Sequence, residues 1–260
     1  MKSTVSFPAL LQRFFTERLM QQRQASPYTI SSYRDTFRLL LRFANKRLHK
    51  PPDHLAFEDI NAPLVTAFLN DLEKTRAIGA RTRNLRLTAI RSFFRYAAFE
   101  APTYSAQIQR VLSMPGKRYD RRLIHFLTRP EVKALLAAPD TNTWCGRRDY
   151  ALLRLAVETG LRVSEMTGLT CEDVTLGTGA HVDVVGKGRK ERVTPFSKQT
   201  AVVLKACMKE LRVPVDDPLF SSVRGGHLSS DAIQRLLKKY TSQAARVCPS
   251  LRKKTRLRTY

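Results

Sequence analysis

The sequence predicts a mainly α protein with one small β-hairpin or sheet, built as a helical N-terminal domain, a linker and a mixed second domain. Three observations carry this. Apolar residues recur at helical spacing through residues 1–101. A strand–turn–strand pattern occurs at 181–196. Between them, residues 102–122 lose periodicity and become strongly basic, which leaves 123–260 as the second domain.

Each element has a local reason. Ser26-Pro27 supplies an N-cap and a proline for the first helical position, and Ile30, Tyr33, Phe37, Leu40, Leu41 and Ala44 then define one apolar face. Pro51-Pro52 ends that helix. A second helix is expected from Ala62 to Leu72, burying Leu64, Val65, Phe68, Leu69 and Leu72. A third runs from Arg81 to Phe99, with Leu85, Ala89, Ile90, Phe93, Phe94 and Ala97 as its apolar arc. Arg81, Arg91 and Arg95 fall outside that arc, and Arg83 and Arg86 lie near its N-terminal edge. With few acids among them, these five arginines are candidates for phosphate contact as well as for an ordinary solvated face. Met114–Arg122, with Lys117, Arg118, Arg121 and Arg122, reads as a basic linker, suited to wrapping a duplex between two lobes or to serving as a solvated tether.

In the second domain, Thr128 and Glu131 have capping-box spacing ahead of a helix from Val132 to Ala138. Another helix is expected from Arg147 to Glu158, with Leu152, Leu153, Leu155, Ala156 and Val157 apolar and Gly160 as its left-handed stop. Strands His181–Val185 and Arg192–Phe196 flank the turn Gly186–Lys190, and helices Lys198–Leu211 and Ser230–Tyr240 follow.

The charge balance restricts function most. Lys and Arg total 46 against 22 Asp and Glu, a net charge of +24, spread along the chain rather than gathered in one arm or stripe. Such a chain repels itself unless a polyanion neutralises it, so a nucleic acid is the expected partner. Cys145, Cys171, Cys207 and Cys248 form no C-x-x-C pair, and no His lies at ligand spacing to one of them, so free thiols are expected and no metal site. No apolar run approaches the roughly 18 residues of a membrane span. A cytoplasmic, nucleoid-associated protein without a membrane partner is expected.

Two segments carry candidate chemistry. In Thr159-Gly160-Leu161-Arg162-Val163-Ser164-Glu165, a helix stops at Gly160 and another starts at once, so Arg162 projects from the corner as a phosphate-matching fork. Glu165 lies three residues on, where it can orient that arginine. In Gly186-Lys187-Gly188-Arg189-Lys190-Glu191-Arg192, glycines let a turn approach a ligand closely and leave the Lys187 ammonium unobstructed as a proton donor, with Arg189 and Lys190 beside it. Taken singly, each segment is equally an ordinary ion pair or a solvated hairpin tip.

In this order the two segments resemble the tyrosine recombinase (phage integrase) family, in which T-G-L-R-x-S-E carries a catalytic Arg and G-K-G-x-K-x-R a catalytic Lys. Arg162 and Lys187 match those roles. Ser26–Tyr33 and Arg83–Phe94 are similar to that family's helical, SAM-like core-binding domain, which clamps DNA. The resemblance implies metal-free phosphoryl transfer without a cofactor. A tyrosine hydroxyl attacks the phosphodiester to give a 3′-phosphotyrosyl link, arginines stabilise the transition state, and the hairpin lysine protonates the departing 5′-oxygen. Double-stranded DNA and further recombinase subunits are the implied partners.

The family also uses an H-x-L-R motif, a later His or Trp and the nucleophilic Tyr. No H-x-x-R occurs here: His125, His181 and His227 are followed three positions on by Thr128, Val184 and Ser230. Ser250–Tyr260 stands where that motif is expected, and Tyr260 does not match the nucleophile's context. The expectation is therefore a C-terminally incomplete catalytic domain that binds DNA but does not cleave it alone. The alternative is a DNA-binding regulator or a dominant-negative partner of an intact recombinase.

Overall fold

The computed structural model describes residues 6–120, 126–186, 190–211 and 217–254. Contacts divide the chain into two units, 1–122 and 123–260.

The first unit is helical. Helix α1 (Phe7–Arg13) continues into a wider π-helical stretch (Phe14–Gln22), followed by α2 (Pro27–Leu48), α3 (Ala62–Arg76), α4 (Ala80–Glu100) and α5 (Ser105–Leu112). Ser26 caps α2 by accepting the Thr29 N–H, and Asn61 caps α3 by accepting that of Leu64. Their apolar faces meet in an aromatic core. Phe93 is fully buried, with ring centroids 5.3 Å from Phe7, 5.6 Å from Phe14 and 5.5 Å from Phe37. The edge-on geometry of these pairs adds to the area that they remove from water.

Two expectations are corrected here. Leu85 does not belong to the buried arc of α4: it is 59% exposed, and Leu87 takes the inward place. The start of the expected linker is part of the first unit's core. Pro102–Tyr104 is a 3-10 turn, and α5 buries Ile108 and Val111 against the same cluster. Two apolar anchors in eight residues give too little periodicity to read as a helix from sequence.

The second unit is mixed. Helices α6 (Arg129–Leu136), α7 (Trp144–Thr159) and α8 (Val163–Gly168) precede strands β1 (Val174–Thr175), β2 (His181–Val185) and β3 (Glu191–Pro195), then α9 (Lys198–Leu211) and α10 (Ser230–Val247). The sheet is antiparallel in the order β1-β2-β3, with Val182 opposite Thr194 and Val184 opposite Arg192. Strand β1, only two residues long, is too short to show alternation in sequence. Val182 and Val184 face the core, while Asp183 and Val185 face outward. Val157, expected inside, is 41% exposed, and α10 runs a further two turns beyond Tyr240.

Buried polar groups are tied across elements. Glu131 accepts the Thr128 N–H at 2.7 Å and the Ser250 hydroxyl at 2.6 Å. Asp149 accepts from Arg148 through one oxygen and from the Tyr240 hydroxyl through the other, at 2.7 Å. No helix among the described residues is long and apolar enough to cross a membrane.

Candidate functional site

The corner between α7 and α8 is built by Gly160. Its φ of +63° ends α7, and its N–H donates to Ala156 O at 3.0 Å. That left-handed conformation strains a residue with a Cβ. Leu161, 4% exposed, pins the connection to the core, and Arg162 follows in extended geometry as the N-cap of α8.

Glu165, three residues on, returns to this corner. Its carboxylate accepts the Arg162 backbone N–H at 2.8 Å and the Arg162 guanidinium at 2.9 Å. It also accepts two bonds from Arg192 on β3, Nη1 to Oε1 at 3.1 Å and Nη2 to Oε2 at 2.8 Å. The Glu165 side chain is 3% exposed, while those of Arg162 and Arg192 are 47% and 39% exposed. Burial by itself would raise the pKa of this carboxyl; the bonds from Arg192 and Arg162 outweigh it and hold the group below its ordinary value. One buried negative charge thus fixes two guanidinium groups that still reach solvent, a surplus of positive charge suited to phosphate.

Gly186, at the end of β2, lies against this cluster. Gly186 N–H donates to Lys190 O at 2.8 Å, closing the turn at its base. A Cβ at Gly186 would sit 3.3 Å from Glu165 Oε1 and 3.4 Å from Arg192 Nη1, so glycine here allows a close approach. Lys190 is exposed. Lys187 and Arg189 lie outside the described residues.

A second tie joins α7 to the start of α9. Glu158, at the end of α7, accepts the Ser197 N–H at 2.6 Å and the hydroxyls of Ser197 and Thr200. It caps α9 from a neighbouring helix and satisfies donors that a helix N-terminus otherwise leaves open. Burial opposes its charge, but these bonds lower its pKa.

Tyr240 is 2% exposed, and burial together with its bond to Asp149 pushes its hydroxyl pKa up. Both effects keep it a protonated, packed side chain.

In the first unit, the arginines grouped on α4 separate by face. Arg81 and Arg95 are exposed, in a row with Leu85, Thr88 and Phe99. Arg91 is half-buried, and burial together with nearby Arg95 lowers its pKa. Arg83 is corrected as a phosphate contact: it is 6% exposed and paired with Glu73 at 3.5 Å. Arg86 is half-buried and engaged within the bundle. It reaches α2, bonding Asp35 at 2.6 Å, the Thr36 hydroxyl at 2.9 Å and Ser32 O at 3.3 Å. The bond from Arg86 and a weaker one from Arg38 overcome burial and lower the Asp35 pKa.

Lys117 is exposed, but its ammonium already meets Glu73 at 2.8 Å. Its backbone is held in both directions by the Asn84 amide, at 2.8 and 2.9 Å. Arg118 is exposed. Arg121 and Arg122 lie outside the described residues. Among the described residues no group of His, Cys, Asp and Glu could hold a metal ion.

Glu158 and Arg192 make the ties around this corner that the sequence did not single out. Arg192 had a signal, as the last residue of the G-K-G-x-K-x-R stretch. Glu158 had none, because its partners are 39 and 42 residues away.

Comparison with known proteins agrees with this architecture. The model of the "Phage integrase family" matches residues 125–256, and that of the "Phage integrase, N-terminal SAM-like domain" matches residues 12–101. The Sinorhizobium fredii integrase/recombinase y4rC is 60% identical over 251 residues, 96% of this chain and 76% of that protein. Tyrosine recombinase XerC of Bacillus subtilis is 30% identical over 240 residues, 90% of this chain and 76% of that protein. Among solved structures, a lambda integrase tetramer bound to a Holliday junction superposes with a TM-score of 0.65 at 19% identity, covering 93% of this chain and 65% of that one. A XerH recombinase bound to its difH substrate superposes with a TM-score of 0.64 at 20% identity, covering 86% and 65%. The chain belongs to the phage integrase family of tyrosine recombinases.

Proposed function

We propose that this chain is the DNA-binding and phosphate-gripping part of a site-specific recombinase that integrates or rearranges mobile DNA. The carrying observation is the Arg162–Glu165–Arg192 cluster beside Gly186. It presents fixed positive charge from two elements at one place, as a scissile phosphate requires. The lambda integrase and XerH structures, both bound to DNA, support a duplex as the ligand.

In this reading Arg162 donates to a non-bridging phosphate oxygen. In a cleaving relative a tyrosine hydroxyl gives its proton to a base and attacks phosphorus as the bond to the 5′-oxygen breaks, and the lysine that Lys187 matches gives that oxygen its proton. The phosphotyrosyl bond conserves the energy for rejoining, so no nucleotide cofactor takes part. Arg81, Arg91, Arg95, Arg118, Arg121, Arg122, Arg189 and Lys190 supply backbone contacts, which set affinity and register rather than sequence choice.

These 260 residues contain no H-x-x-R, and Tyr240 is packed away. In this reading they bind duplex DNA without forming a covalent adduct, and they can occupy sites in competition with a cleaving recombinase. Fluorescence anisotropy on a 30-base-pair duplex tests the first part. Affinity should fall steeply with salt, and binding independent of salt refutes it. A duplex that traps phosphotyrosyl intermediates tests the second, and a denaturant-stable adduct refutes it.

A further inference from the structure

We propose that Asn84 is a positioning residue: its side-chain amide clasps the backbone of Lys117, so that Arg118 is held beside Arg81 of α4 and the two address neighbouring phosphates of one duplex. The proposal rests on the recombinase reading above and adds to it a residue that acts through another.

Its first ground is the clasp itself. Lys117 lies past the end of α5, in no helix or strand. Its N–H donates to Asn84 Oδ1 at 2.9 Å, and its carbonyl accepts from Asn84 Nδ2 at 2.8 Å. A side chain that satisfies both backbone groups at once must carry a donor and an acceptor, as an amide does.

The second ground is that the chain leading to the clasp is fixed. Met114 packs against the aromatic core of the first unit. A Cβ added to Gly116 would stand 3.4 Å from Asn84 Oδ1, so the chain lies flat against the amide. The Lys117 ammonium meets both oxygens of Glu73, at 2.9 and 2.8 Å. Residues 114–117 are thus held by packing, by the clasp and by an ion pair, and Arg118 is the first residue beyond them.

The third is what the clasp brings together. Arg81 stands three residues before Asn84 on α4, and such neighbours on a helix have Cβ atoms about 5–6 Å apart. Arg118 directly follows the clasped residue. Both arginines are exposed, and neither has an ion-pair partner among the described residues. Glu73, the carboxylate at this joint, is already taken by Lys117 and Arg83. Two unpaired guanidinium groups leaving one joint suit the repeated phosphates of a nucleic-acid backbone. A clasp formed before DNA arrives lowers the ordering cost of seating Arg118.

The test is a double-mutant cycle between Asn84 and Arg118, read as duplex affinity of the full chain at fixed salt. Asn84→Leu removes both bonds without adding charge. Arg118→Gln should weaken binding at least about threefold more in the native background than in Asn84→Leu. Arg95→Gln, about three turns further along α4, should cost the same in both. Equal losses for Arg118→Gln in the two backgrounds overturn the proposal. So does an Arg95→Gln effect that shrinks to the same extent, which would mark Asn84 as a general brace of the unit.

Hydrogen exchange of the DNA-free chain reads the clasp independently. The Lys117 amide should exchange at least about tenfold faster in Asn84→Leu, and Asn84→Asp, which keeps the acceptor, should restore most of its protection. An unchanged Lys117 amide in Asn84→Leu overturns the proposal. A native chain that binds no duplex overturns the recombinase reading instead, and the exchange result still decides whether Asn84 holds this segment.

Discussion

Replacing Glu165 by Gln removes one buried negative charge while keeping the shape of the side chain. The carboxylate accepts four bonds, two from each arginine. Bonds to charged groups contribute about 1.5–3 kcal/mol each when partners stay dry, but a simple sum overstates the loss. One oxygen remains an acceptor in Gln, and both guanidinium groups, 47% and 39% exposed, recover water when released. A net destabilisation of about 2–3 kcal/mol is expected. For a unit of this size, that is a fall of roughly 6–10 °C in melting temperature, or about 1 M in urea midpoint. Trp144 is the single tryptophan, and it lies in the second unit, so its fluorescence reports that unit alone. The circular dichroism of the first unit should keep its own transition. A Trp144 midpoint that moves by less than about 0.2 M would show that the two arginines do not depend on Glu165, and the reasoning about this corner would fail.

The same carboxylate gives a pH dependence. Its folded pKa lies below the ordinary value of 4.5, so its stabilisation is present above that pH and is lost as pH falls through the folded value. The difference between native and Glu165→Gln midpoints should be flat from about pH 6 to 8 and shrink below about pH 4.5. On α4, Arg95→Gln should lower the salt slope of duplex binding by about 0.9, whereas Arg83→Gln should leave the slope unchanged and lower the first unit's stability. Equal slopes for both variants would contradict the division between exposed and buried arginines. Phe93→Ala should cost the first unit about 3–5 kcal/mol, measured by urea unfolding followed by circular dichroism, because its ring touches Phe7, Phe14 and Phe37. Ala77 ends α3 at a φ of +48°, so Ala77→Gly should raise that unit's stability by about 1 kcal/mol; a decrease would show that the strain is compensated elsewhere.

The α4 arginines show why a basic helix resists interpretation from sequence. Five of them fall within fifteen residues, and the apolar arc separates inside from outside only coarsely. Arg83 and Arg86 stand at the edge of that arc. Whether they face solvent depends on whether another helix brings a carboxylate to meet them. Glu73 on α3 and Asp35 on α2 do so, and the two arginines become braces of the bundle. Lys117 is bound in the same way, its ammonium at Glu73 and its backbone at Asn84, which fixes the chain where it leaves α5. The exposed row on α4 is then Arg81 and Arg95, with Leu85, Thr88 and Phe99 among them and Arg91 half-buried at its side.

What the sequence determined by itself was set by short-range rules. Ser26, Gly160 and the Thr128–Glu131 spacing located helix ends, because a cap is a contact among residues a few positions apart. Alternation around Gly186–Lys190 located the hairpin, and the three-residue spacing of Arg162 and Glu165 placed one beside the other. Only the tertiary structure decided that Arg192 completes that pair from 27 residues away, and that Glu158 caps a helix 39 residues on. It also decided that Leu87 rather than Leu85 turns inward. The physical reason is that periodicity and capping act within a turn or two of chain. Partners for a buried charge are chosen by whichever segments packing brings together, and no local pattern records that choice.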